Sequence, residues 1–185
     1  MRPLLCSLIL CLSAWPLLAA PVFATFTTAG SPGDYTLDFS VTNNTATDGM
    51  YIYFFGVVLP AGEIVGTPTD WVARTFDTSW TNAGLGGSSL TYNDSWIVLV
   101  GGIPTGGTLS GFQLHVTDTV APASMPFFAF GQGGTYTGTD HFASDTNPGF
   151  EGTTGAPATV PEPVSLGLAG AGLVALLYAR RHRWL

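Results

Sequence analysis

Asp140-His141 and Ser144-Asp145 place a carboxylate, an imidazole and a hydroxyl within a six-residue stretch. A Ser–His–Asp hydrolase combines those side-chain types, with the hydroxyl on one imidazole nitrogen and the carboxylate on the other. Near neighbours along a chain seldom point at one another, and no Gly-x-Ser-x-Gly elbow is present to expose a nucleophile. His115 alternates onto a polar strand face beside Gln113 and Thr117, which reads as a solvated surface histidine. A glycoside hydrolase needs two carboxylates facing one cleft. Outside the C-terminal tail the only glutamates are Glu63, expected in a loop, and Glu151, expected in a linker. Asp38, Asp70, Asp77, Asp94 and Asp118 read as turn caps and solvated strand faces. No catalytic residue is expected, and the chain reads as a non-enzyme.

Metal chemistry has little more to work with. Zinc would need more than the two interior histidines. Calcium accepts Asp side chains and backbone carbonyls, but Asp34, Asp48, Asp140 and Asp145 are scattered, and no D-x-D-x-D-G run occurs. The expected cofactor set is none, with Ca2+ the one ion that the acidic composition leaves open. Aromatic side chains offer a different chemistry, since their faces stack on sugar rings. Trp71 and Trp80 flank a predicted loop and are the candidate sugar-stacking residues, whereas Trp96 lies in an apolar strand and reads as core.

The elements that must position these residues are strands. Tyr35, Leu37, Phe39 and Val41 alternate with Thr36, Asp38, Ser40 and Thr42, the pattern of a strand with one wet face. Met50–Leu59 is apolar on both faces, as a central strand covered on both sides would be. Trp71–Phe76, Ser95–Val100, Leu109–Asp118 and Pro126–Gly131 complete the predicted set, the last taken as the final main strand. Short strands joined by Gly-rich turns predict an all-β fold, an antiparallel β-sandwich of jelly-roll type, over residues 25–150. The Gly/Thr/Pro-rich residues 151–159 read as a linker.

Charge narrows the partners. Charged residues make up 9% of the 185, there is no lysine, and the formal net charge is −7. Residues 25–160 hold a single cation, Arg74, so no basic face exists for nucleic acid. Both cysteines, Cys6 and Cys11, lie in the N-terminal apolar run Leu4–Leu18 that follows Arg2. That run reads as a signal peptide over residues 1–24, with Val22-Phe23-Ala24 as the small-residue site read by signal peptidase. Cutting after Ala20 instead would leave Pro21 after the scissile bond.

At the other end, Pro161-Glu162-Pro163 precedes an uncharged stretch, Val164–Ala179, and Arg180-Arg181-His182-Arg183 follows it. As a helix the stretch would rise about 24 Å, enough to reach across most of a bilayer core with Arg and Trp184 extending to the interface. The arginines Arg180, Arg181 and Arg183 read as a cytoplasmic stop, leaving the domain outside the inner membrane.

These three parts, in order over residues 160–185, resemble the PEP-CTERM sorting signal of Gram-negative bacteria. The resemblance covers the tail alone. It implies that an exosortase, a membrane-embedded cysteine protease-like enzyme, processes the chain near Pro161-Glu162-Pro163 after a transient inner-membrane stage. It further implies a surface or extracellular-matrix protein connected with exopolysaccharide and biofilm. The expected function is structural, with a carbohydrate-binding module as the alternative and a secreted hydrolase behind both.

Overall fold

The computed structural model describes residues 20–58 and 62–155. In chain order its strands are β1 (Val22–Ser31), β2 (Asp34–Asn43), β3 (Tyr51–Val57), β4 (Gly62–Gly66) and β5 (Trp71–Thr81). After a 3-10 turn at Ala83–Leu85 come β6 (Thr91–Val98), β7 (Ile103–Pro104) and β8 (Thr108–Val116). The chain then forms β9 (Pro126–Gln132), β10 (Phe142–Ser144) and β11 (Asn147–Thr153). A four-stranded sheet runs β1-β2-β8-β4, and the larger sheet runs β10-β11-β9-β3-β6-β5 with β7 beside β3. The strand pairings within both sheets are antiparallel.

Alternation builds the core between the sheets. Leu37, Phe39 and Val41 of β2 and Phe112, Leu114 and Val116 of β8 are fully buried, and they meet Ile52, Phe55, Trp96 and Phe127 from the larger sheet. The centre is aromatic: Phe55 stacks on Trp96 at 5.8 Å, and Phe112 lies 5.3 Å from Phe55 and 5.5 Å from Trp96. Such pairs prefer offset or edge-on geometry and add about 0.5–1.5 kcal/mol each beyond the area they bury. The wet face of β2 pairs with β8 through hydroxyls, Ser40 with Ser110 at 2.6 Å and Thr42 with Thr108 at 2.8 Å. One buried amide ties the β2–β3 connection: Asn43 donates to the carbonyls of Met50 and Ile103 and accepts from the Thr45 backbone and hydroxyl.

The all-β, two-sheet expectation and the central place of the Met50 strand agree with this architecture. Several boundaries move. β1 begins at Val22, inside the segment expected to be leader. Pro126–Gly131 is followed by two more strands, and β11 runs through Glu151 to Thr153, into the segment expected to be linker. Pro148, Gly149 and Gly152 hide the strand's alternation in the sequence, and the strand is defined by its pairing with β9. Glu63 sits in β4 opposite His115 and not in a loop. Leu99 and Val100 lie beyond the end of β6, exposed in the turn.

Candidate functional site

The outer face of the larger sheet holds a second aromatic cluster, and a β-bulge creates it. On β3, Ile52 opposes Gly131 and Phe54 opposes Phe130, which leaves Tyr53 as an extra residue without a ladder partner. A bulge of this kind flips the alternation. Ile52 and Phe55 therefore both face the main core, while Tyr53 and Phe54 between them reach the outer cluster of Tyr92, Phe128 and Phe130. Gly56 has room only because it has no side chain: the Phe128 ring lies where a Cβ would go.

A groove of about 280 Å3 opens over this cluster, lined by Tyr53, Phe54, Trp80, Leu85, Phe130 and Asn147. Trp80 is 39% exposed. Asn147 donates its side-chain amide to the Tyr53 hydroxyl at 3.0 Å and to the Gly131 carbonyl at 3.1 Å, which fixes a polar group at one wall. The Trp80 indole N–H donates to Asn82 Oδ1 at 3.1 Å, and Asn82 Nδ2 donates to Glu151 Oε1 at 2.7 Å. Glu151 also accepts from the Ser88 backbone at 3.0 Å, the Ser88 hydroxyl at 2.9 Å and the Tyr92 hydroxyl at 3.2 Å. The carboxylate thus clamps the loop after β5 onto β11 and, through Asn82, sets the indole. Burial pushes the Tyr92 phenol up to about 12, and the negative charge of Glu151 adds to the rise.

The sequence-singled residues fare differently. Trp71 does not flank the groove as a stacking candidate should. It is 8% exposed and packs edge-on against Phe112 at 5.0 Å, because its position on β5 opposite Val98 faces the main core. Trp80 is the exposed member of the pair, and Trp96 is fully buried, as its apolar strand predicts. Tyr53, Phe54, Phe130 and Asn147 complete the groove without having been singled out, since a bulge leaves no sequence signature here.

The triad residue types do not converge. His141 Nε2 lies 3.1 Å from Asp145 Oδ1, while Asp140 accepts from the Tyr136 hydroxyl at 2.6 Å. The Ser144 hydroxyl turns elsewhere, to Thr146 at 3.4 Å and the Asn147 backbone at 3.2 Å. Burial, with the Asp140 hydrogen bond behind it, raises Tyr136 to about 12. His115 stands on the polar face of β8, 2.9 Å from Asp34. Among the described residues no group of three His, Cys, Asp or Glu side chains is placed to hold a metal ion. No helix among them is long and apolar enough to cross a membrane. Residues 1–19 of the leader expected over 1–24, Pro161, Glu162 and Pro163, the 164–179 stretch and Arg180, Arg181 and Arg183 lie outside the described residues.

Comparison with known proteins adds a fold likeness and a motif. The chain is similar to an uncharacterized protein from Nocardia farcinica whose crystal structure has an immunoglobulin-like fold. Identity is 15% and the TM-score 0.41, over 72% of this chain and 99% of that one. No curated protein matches. Residues 159–183 match the family model described as the PEP-CTERM protein-sorting motif, a span that includes Pro161-Glu162-Pro163 and the terminal arginines. The chain therefore carries a PEP-CTERM sorting signal, which implies export toward the cell surface with an exosortase as the processing partner.

Proposed function

We propose that this chain is an exported, non-enzymatic β-sandwich that serves as a structural component of an extracellular polysaccharide matrix. The observation that carries the reading is the sorting motif at residues 159–183, which begins a few residues after Gly155, where the chain bridges back to Thr25 of β1. In this account signal peptidase removes the leader. Residues 164–179 hold the chain briefly in the inner membrane, with Arg180, Arg181 and Arg183 as the stop, until the exosortase acts. The hydroxyl-rich outer face of the smaller sheet, with its Ser40–Ser110 and Thr42–Thr108 pairs, suits a hydrated polysaccharide environment. Divalent cations, calcium first, would bridge the acidic, lysine-free surface to anionic polysaccharide. Matrix extraction tests the reading: the protein should co-fractionate with the polysaccharide of an exosortase-bearing host and be released by chelator. Recovery in the matrix-free supernatant, with no association with polysaccharide, contradicts the structural role. Retention that chelator leaves unchanged contradicts the cation bridge.

A specific observation favours a second reading, direct glycan contact. The groove brings the exposed Trp80 ring together with the partly exposed rings of Tyr53 and Phe54 and the side chain of Asn147, the mixture of aromatic and polar groups that sugar recognition uses. Affinity electrophoresis through the host polysaccharide tests it. Trp80→Ala should weaken retardation about tenfold, equivalent to roughly 1.4 kcal/mol. Equal mobility of wild type and variant removes the groove from consideration.

A further inference from the structure

Val22-Phe23-Ala24 has the small-x-small spacing of a signal-peptidase site, and the same spacing is the inward face of a strand. The fold uses it in the second way. Val22 is 3% exposed and Ala24 0%, and with Phe26 they form one row of the main core. Val22, Phe23 and Ala24 pair with Asn43, Thr42 and Val41. The order extends further upstream, where the Asn44 backbone donates to the Pro21 carbonyl at 2.8 Å and its side chain to the Ala20 carbonyl at 3.3 Å. A chain starting at Thr25 would lose the first three residues of β1 and open the core beside Val41.

We propose that signal peptidase hydrolyses the Ala19–Ala20 bond and not Ala24–Thr25, so that the mature protein keeps β1 whole. This rests on the export reading above. Ala19 supplies the small residue directly before the bond, and Ala20, exposed at the edge of the fold, becomes the new N-terminus. Cutting one bond later would place Pro21 after the scissile bond. Water adds across the amide, leaving a carboxylate on Ala19 and an ammonium on Ala20, and no other reactant is needed. Leu17 then stands three residues before the bond, larger than Val22 at the equivalent place in the competing site, so the local motif and the fold make opposite predictions.

The test is intact mass and N-terminal sequencing of the full chain expressed in an exporting Gram-negative host, beside Ala19→Leu. The wild type should begin at Ala20, five residues longer than a product beginning at Thr25. Ala19→Leu should accumulate uncut precursor several-fold, because a bulky residue before the bond blocks the cut while core position Ala24 is untouched. An exported product beginning at Thr25, in either chain, overturns this inference and leaves the export reading intact. A wild-type chain that keeps Met1–Ala19 inside the cell overturns both.

Discussion

Asn82 and Glu151, 69 residues apart in sequence, meet at 2.7 Å, and that bond joins the loop after β5 to β11. Because Asn82 also accepts from the Trp80 indole, the carboxylate on one strand sets the ring on another. Glu151→Ala removes the shared acceptor of Asn82, Ser88 and Tyr92. Hydrogen bonds to charged groups contribute about 1.5–3 kcal/mol, so urea unfolding should show a loss of about 2 kcal/mol. Tryptophan emission should shift with it as Trp80 loses its anchor. Unchanged stability and emission would show that the clamp does not hold the loop.

Alkaline pH should weaken the fold through two phenols. Tyr92 and Tyr136 are raised to about 12 from an ordinary 10.0, in both cases mainly by burial. A raised pKa means that the folded chain holds its proton where the unfolded chain has released it. The associated stability is fully present below pH 10 and is lost as pH rises toward 12. Urea titrations across that window should fall steeply for the wild type and flatten for the Tyr92→Phe, Tyr136→Phe double variant. Parallel slopes for the two proteins would contradict the assignment.

The two tryptophans that the sequence groups together should separate in experiment. Trp71→Ala empties a core position against Phe112 and should cost about 3–5 kcal/mol. Trp80→Ala removes a partly exposed ring at the groove and should cost under about 1 kcal/mol. Equal costs by thermal or urea unfolding would mean that the burial of Trp71 is not what the fold depends on.

That contrast shows where the sequence is readable. Period-two alternation in Tyr35–Val41 and Leu109–Val116 announces β2 and β8, because one face of each is wet and the other buried. Trp71 and Trp80 carry no such label, since strand β5 changes register between Thr75 and Trp80 and periodicity cannot follow a shift. The groove was unreadable for the same reason, as the bulge at Tyr53 reverses which side chains face out. Glu151 looks like linker because glycines and a proline surround it, yet its role comes from residues 59 to 69 positions away. Val22 and Ala24 show the reverse problem, a strand's inward face that doubles as a cleavage motif.

The most direct test of the account is fractionation with intact mass for wild type and Glu162→Ala in a host that has an exosortase. The glutamate lies within the matched motif and follows the last strand, β11, in sequence, so its loss should leave folding unchanged. The wild type should lose its tail and reach the surface, while Glu162→Ala should stay full-length in the inner membrane. If both proteins keep residues 164–185 in the inner membrane, the tail is a plain anchor and the matrix assignment falls with it.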